Sequence, residues 1–283
     1  MIHDLFIRFP NGKRKAFTLS YDDGTLFDKP LIEIFNKYNV KGTINLNSQR
    51  IIDANNNVPT KGRERLKLEN LKQLLDGTDH EVAVHTCNHP SLIAVPQATM
   101  VSQIVNDRDN LEKMFGKIIR GMAYPNGTWA VNDDVVKACE ACGITYSRGT
   151  RSTHSFVLPM TDFLRYEPTC HHNDPKIFEL IEEFLNSEVK RFPLLFYVWG
   201  HSYEFDENNN WEQLEKILLK IANKDEIWYA TNIEIFDYVN AFKQLQYSVN
   251  MDYVHNPTAT TLWFTHDYDN LYEIKPGETI ILS

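Results

Sequence analysis

Strand-patterned and helix-patterned stretches alternate seven or eight times along this sequence with no linker between them, and that alternation limits the fold more than any other feature. Residues 15–21 alternate apolar and polar side chains, the two-residue period of a strand. Residues 29–38 follow with Leu31, Ile32, Ile34 and Phe35 at helical spacing. Further strands are expected at 41–47, 82–85, 118–123, 143–147, a short 163–166, 192–199 and 227–230. Helices are expected at 66–75, 101–115, 133–142, 178–185, 211–221 and 233–245. Parallel strands need a crossover to return the chain to the same edge, and a helix supplies it. At 283 residues a βα barrel fits this pattern better than an open sheet. Chemistry in such barrels gathers at the C-terminal ends of the strands.

The pattern changes after residue 245. Stretches 247–251, 259–264 and 279–282 are β-patterned, with turns at Asn256-Pro257 and Lys275-Pro-Gly-Glu278. Two units are expected: a barrel over 1–245 and a small antiparallel β extension over 246–283 that packs against it or presents a substrate-binding edge.

Composition excludes several classes. Net charge is −9 and the longest basic run is Lys13-Arg14-Lys15, so nucleic acid is not an expected partner. No stretch approaches the ~18 apolar residues of a membrane span, so no membrane partner is expected. The first ten residues lack the basic and apolar regions of a signal peptide, which points to a cytoplasmic protein. Four scattered cysteines (Cys87, Cys139, Cys142 and Cys170) suit a reducing compartment. Cys139-x-x-Cys142 lies in a helical pattern with no second pair, so both are read as core cysteines. Composition sets no oligomeric state.

The chemistry-bearing residues fall at strand ends. The first strand runs into Asp22-Asp23-Gly24; two adjacent carboxylates there repel and are costly to bury unless something pairs with them. An exposed Asp-Gly turn is the bland alternative. The strand at 82–85 delivers His85, and His89 follows four residues later, a spacing that lets two neutral imidazoles face one divalent metal. Another strand ends in Tyr124-Pro125-Asn-Gly127, and the apolar run 192–199 ends in Gly200-His201.

Together these residues resemble the polysaccharide deacetylases, the family 4 carbohydrate esterases with the NodB homology domain. Thr18-Leu-Ser-Tyr-Asp-Asp-Gly24 is similar to the family's TFDDG, and His85-Thr-Cys-Asn-His-Pro-Ser-Leu92 to its H-[ST]-x-x-H-P-x-L. The resemblance spans about residues 15–235. It implies a distorted (β/α)7-type barrel and a hydrolase acting on C–N bonds other than peptide bonds. It also implies one divalent metal, zinc first and cobalt, nickel or manganese as options, held by Asp23, His85 and His89. Asp22 would be the general base and His201 the general acid. The substrate implied is an N-acetylated, or less commonly O-acetylated, carbohydrate. The chemistry is consistent: a metal with three protein ligands and open positions binds water and polarises a carbonyl oxygen, and a histidine titrates in the range needed to protonate a departing amine.

The sequence departs from the family pattern in places. The family's R-x-P-[YF]-G turn reads Ala123-Tyr-Pro-Asn-Gly127 here, so Ala123 stands where arginine is usual, and Arg120 lies three residues earlier. No Asp-Trp motif is visible; Asp162 is a candidate to support His201, and Glu204 is open to that role or to solvent. Tyr124, Pro125, Trp199 and Tyr203 are candidate substrate-binding residues, with amides around Tyr124 as oxyanion donors and the aromatics as core or as sugar platforms. Cys87 points away from the two histidines and packs. His171-His172, on a loop near the strand ends, are expected at the surface, with lining the cleft as the alternative, and His255 and His266 are expected at the surface. Two other readings stay open: hydrolysis of a non-sugar amide on the same site, and an inactive sugar-binding barrel.

Overall fold

The structure, a computed structural model, describes residues 4–59, 62–266, 268 and 270–282, so residues 1–3 of the leader reading and Ser283 of the tail lie outside the described residues. A short strand β1 (Leu5–Arg8) precedes the barrel strands β2 (Lys15–Asp22), β3 (Thr43–Leu46), β4 (Glu81–Val84), β5 (Gly121–Ala123), β6 (Tyr146–Arg148), β7 (Cys170–His171), β8 (Leu194–Gly200) and β9 (Ile227–Tyr229). Between and after them run helices α1 (Asp28–Lys37), α2 (Ser48–Asn55), α3 (Leu68–Leu75), α4 (Gln97–Phe115), α5 (Asp133–Ala141), α6 (Ile177–Asn186), α7 (Tyr203–Glu207), α8 (Trp211–Ile221) and α9 (Asn232–Phe242). All pairings in the main sheet are parallel, in the order β6-β5-β4-β3-β2-β8-β7, with β9 also on β2. The seven-stranded path curls into the distorted (β/α)7 barrel that the alternation implies.

The distortion has two sources. β9 pairs with Lys15–Phe17 while β3 pairs with Ser20–Asp22, so two strands share one edge of β2. Opposite, the ring closes through an irregular segment. Tyr166 donates its N–H to Ser147 O (3.1 Å) and accepts from Gly149 N (2.9 Å), and Thr169 N then donates to Tyr197 O (2.8 Å). Pro168 lies between these contacts and has no N–H to continue a ladder. The strand expected at 163–166 is therefore a 3₁₀ turn, Phe163–Arg165, followed by a single bridging residue, and the regular pairing comes later, at Cys170–His171.

Every residue of β2 is buried. Its Phe17, Leu19 and Tyr21 pack with Leu31, Ile32 and Phe35 of α1, while Thr18, Ser20 and Asp22 alternate to the other side. Helix α2 was not expected from the sequence. Its first amide, Ser48 N–H, donates to the Asp107 carboxylate of α4 at 2.7 Å, a cap supplied from 59 residues away and invisible to local pattern. All four cysteines are free and buried, as read from the sequence.

The tail forms β10 (Gln246–Tyr247), β11 (Tyr253–His255), β12 (Leu262–His266), β13 (Asn270–Ile274) and β14 (Thr279–Ile281). Two antiparallel three-stranded sheets result, β10-β11-β14 and β1-β12-β13. The second recruits the N-terminal strand, with Leu5 opposite His266 and Arg8 opposite Trp263. Val254, Leu262, Phe264 and Ile274 join Ile235 and Val239 of α9 in one apolar cluster. His266 is buried there, a correction to its expected exposure. Among the described residues no helix is long and apolar enough to cross a membrane.

Candidate active site

Asp22 is the last residue of β2, and its carboxylate is the hub of the site. Asn45 of β3 donates its side-chain N–H to Oδ1 (2.8 Å). Arg148, the last residue of β6, spans the barrel mouth and meets Oδ1 and Oδ2 at 2.5 Å each. That guanidinium is fully buried, also donates to Ser20 Oγ and Gly149 O, and lies over the Trp199 ring at 4.6 Å. Burial alone would raise the Asp22 pKa. The Arg148 charge, then His85 and His201, outweigh it and hold the group down at about 2, so it is ionised at neutral pH. Its Oδ2 stands 3.9 Å from both His85 Nε2 and His201 Nε2.

Asp23, His85 and His89 bring their ligand atoms within 4.8 Å of one another. The backbone is forced to do so: Asp23, Thr86 and His89 have φ of +88°, +65° and +59°, in the left-handed region that non-glycine residues rarely occupy. The Asp23 turn is pinned by its N–H to Asn45 O (2.9 Å). Around His85, Asn47 donates to the carbonyls of His85 (2.7 Å) and Thr86 (2.9 Å), and Asp107 accepts the His85 N–H at 3.0 Å.

These three residues fit a divalent ion. His85 Nδ1 bonds to Ala123 O at 2.8 Å, which places the proton on Nδ1 and leaves Nε2 a lone pair. Burial pushes the His85 pKa to about 4, keeping the ring neutral. Its Nε2 and Asp23 Oδ1 are both buried without a hydrogen-bond partner, an unfavourable state unless an ion takes them. Arg65 approaches Asp23 Oδ1 at 3.5 Å.

His201 follows β8 and presents Nε2 toward Asp22, while its Nδ1 faces Glu204 Oε1 at 3.3 Å. Glu204 also accepts the His201 backbone N–H (3.1 Å) and contacts His171 Nε2 at 2.9 Å and His172 Nε2 at 3.3 Å. Burial would lower the His201 pKa, but the Glu204 hydrogen bond and the charges of Asp22 and Glu204 raise it above the ordinary histidine value. Asp162 is not involved; it lies exposed, 3.5 Å from Arg165. His171, His201 and Glu204 also satisfy the spacing of a metal cluster. The Asn173 N–H donates to His171 Nδ1 (3.1 Å), however, which puts the proton on Nε2 and makes that atom a donor to Glu204 rather than a ligand.

Several expectations change. His172 is fully buried, stacked on Phe205 (4.0 Å) and Tyr21 (5.6 Å), and His171 is half-buried. Neither is the surface histidine expected, because the segment carrying them closes the barrel. The Tyr124 N–H is committed to Arg148 O (3.0 Å) and its hydroxyl to Leu164 O (2.8 Å), so its own amide is not an oxyanion donor. Tyr124 and Pro125 shape the turn after β5. Tyr203 carries the Arg63 guanidinium at 3.4 Å over its ring, with His201 at 4.9 Å, and Trp199 touches His171 and His201 edge-on. Arg148 takes the place the sequence left empty at Ala123, whereas Arg120 pairs with Asp237 elsewhere. A charged residue directly after the fifth expected strand was the available signal for it.

Glu204→Gln tests the His201 contact. Removing the carboxylate removes the largest of the influences that raise the His201 pKa, so the alkaline limb of the pH profile is expected to move to lower pH. A limb at unchanged pH in the variant would mean that Glu204 does not act on His201.

Residues 10–147 match the polysaccharide deacetylase family. No curated protein matches the sequence. Among solved structures, a putative polysaccharide deacetylase from Mycobacterium smegmatis is 19% identical, with a TM-score of 0.59 over 84% of this chain and 94% of that one. A mutant CE4 family pseudoenzyme with restored enzymatic activity, whose wild type comes from Bacillus anthracis, is 16% identical with a TM-score of 0.50, covering 82% of this chain and 70% of that one. A mutant of the peptidoglycan deacetylase PdaC from Bacillus subtilis is 14% identical, also at 0.50, over 83% and 95%. At these identities the structural likeness establishes the barrel.

Proposed function

We propose, from the premise that the chain carries the polysaccharide deacetylase family pattern over residues 10–147, that it is a metal-dependent hydrolase removing acetyl groups from N-acetylated sugars. The observation that carries this reading is the convergence of Asp23, His85 and His89 beside an ionised Asp22 and a histidine of raised pKa. Asp23, His85 and His89 would hold one divalent ion, zinc suiting two imidazoles and a carboxylate. Such an ion supplies a Lewis acid for the acyl oxygen and makes water acidic enough to be deprotonated near neutrality.

The chain's own residues manage the protons. Asp22, held ionised by Arg148 and aimed by Asn45, takes the proton of the attacking water on Oδ2, the oxygen facing the ligand cluster. His201, kept protonated by Glu204, gives its Nε2 proton to the departing amine. Asp22 Oδ2 and His201 Nε2 lie 3.9 Å apart, so the proton that Asp22 takes is held next to the histidine that must be reprotonated for the next turnover. Trp199 walls the mouth and shields the Asp22–Arg148 pair.

The test is acetate release from N-acetylglucosamine oligomers together with bound-metal content. About one divalent ion per chain is expected, with activity lost on chelation and restored by zinc. Full activity in demonstrably metal-free protein would overturn the reading.

A further inference from the structure

Arg65 stands against the ligand cluster and has no part in the chemistry proposed above. It is only 8% exposed. Its Nη2 lies 3.5 Å from Asp23 Oδ1, an ion-pair contact that does not reach a hydrogen bond. Nη1 donates to Arg63 O (2.7 Å), and Nε is buried with no hydrogen-bond partner among the described residues. The backbone holds the side chain there. Residues 64–66 run antiparallel to the turn that follows β2, with Arg65 opposite Thr25. Leu66 N–H donates to Gly24 O (2.9 Å), and Leu26 N–H to Glu64 O (3.3 Å). Arg63 ties the same segment to α7, its Nε donating to Glu207 Oε1 at 2.9 Å.

A buried guanidinium needs a counter-charge. Burial lowers the Arg65 pKa, and the Asp23 charge is the largest influence opposing it, ahead of Asp28. The Asp28 carboxylate already accepts from the Ser202 hydroxyl. Arg50 adds a second positive charge nearby, acting on Arg65 in the same direction as burial. Asp23 is therefore the main counter-charge of Arg65 and, at the same oxygen, a ligand of the divalent ion.

We infer that Arg65 is a built-in competitor of that ion: it shares the Asp23 carboxylate and so weakens metal binding. The inference rests on the reading of Asp23, His85 and His89 as ligands of one ion, and adds a control on how firmly they hold it. Two cations on one carboxylate repel, and a buried site screens that repulsion little. Occupancy then follows metal supply, because a weakened site stays part-empty when metal is scarce.

The experiment measures zinc affinity of the full chain by competition with a chromogenic chelator, a readout that needs no substrate. Arg65→Gln is expected to bind zinc about tenfold more tightly than the wild type, the scale on which groups beside a ligand act on metal affinity. Arg65→Met, also uncharged, is expected to do the same and stands in should the glutamine variant not fold. Arg65→Lys keeps the charge and should stay nearer to the wild type than to Arg65→Gln. Metal-free protein supplies the opposite sign. There the uncharged variants deprive Asp23 of the cation it contacts, so their Tm should fall below that of the metal-free wild type. An unchanged Tm, or zinc affinity no tighter than in the wild type, overturns the inference and leaves the metal reading intact. Tightening in Arg65→Lys equal to that in Arg65→Gln overturns it too, since the charge would not be the cause. If neither the wild type nor any variant binds zinc, the metal reading falls and the inference with it.

Discussion

Arg148→Met is expected to destabilise the protein by about 3–5 kcal/mol and to abolish activity at neutral pH. Both effects come from one contact. The guanidinium and Asp22 are buried together, and removing one partner leaves the other charge uncompensated in a dry site. Asp22 would respond by titrating upward, since burial is the largest influence on it and Arg148 the largest opposing one. The base would then be protonated over part of the working range, so residual activity should rise with pH instead of holding steady. The stability sign follows separately. Asp22 has its pKa lowered on folding, so its contribution of about 2 kcal/mol is present above pH ~4 and lost as pH falls through about 2. Urea unfolding with an unchanged slope measures the first effect. A midpoint shift worth less than about 1 kcal/mol would show that the pair is not the anchor described here.

Asp22→Asn is expected to cost about a thousandfold in kcat, within the range of a lost general base, while bound metal stays near one ion per chain. The amide oxygen still accepts from Arg148, but the buried guanidinium loses its counter-charge, so some loss of stability is expected here too. The amide cannot take a proton from water. Because Asp22 contacts the ligand cluster only through Oδ2 at 3.9 Å from His85, metal retention separates a base from a ligand. Loss of metal in Asp22→Asn would reassign the carboxylate to the metal. Unchanged kcat would remove it from the chemistry.

The barrel was legible because strands and helices alternate along the sequence: β4 and β8 are written as apolar runs, as in a parallel sheet covered on both faces, and β2 as an alternation of apolar and polar residues. Asp22, Asp23, His85, His89 and His201 were legible for a related reason: each ends or follows a strand, and strand ends converge in a barrel. What escaped depends on contacts across the ring. Arg148 lies 126 residues from Asp22, and nothing local marks it as the partner of that carboxylate. Glu204, three residues from His201, was open to supporting it or to solvent, and what the sequence did not show is that His171 and His172 arrive beside it from β7 and the turn after it. Asp162 had the right chemistry and the wrong place. Helix α2 was missed because its cap comes from Asp107, and the burial of His172 because the closing segment is irregular.

The pairing of β1 with β12 bears on how the molecule is made. Leu5 finds its register opposite His266, a contact between residues far apart in sequence. Closing so long a loop is entropically late, and contacts of this separation slow folding. During synthesis, β1 waits with an unpaired edge until β12 has left the ribosome, while the barrel strands can already associate in order. The apolar side chain of Ile7 joins its cluster only once that long loop is closed.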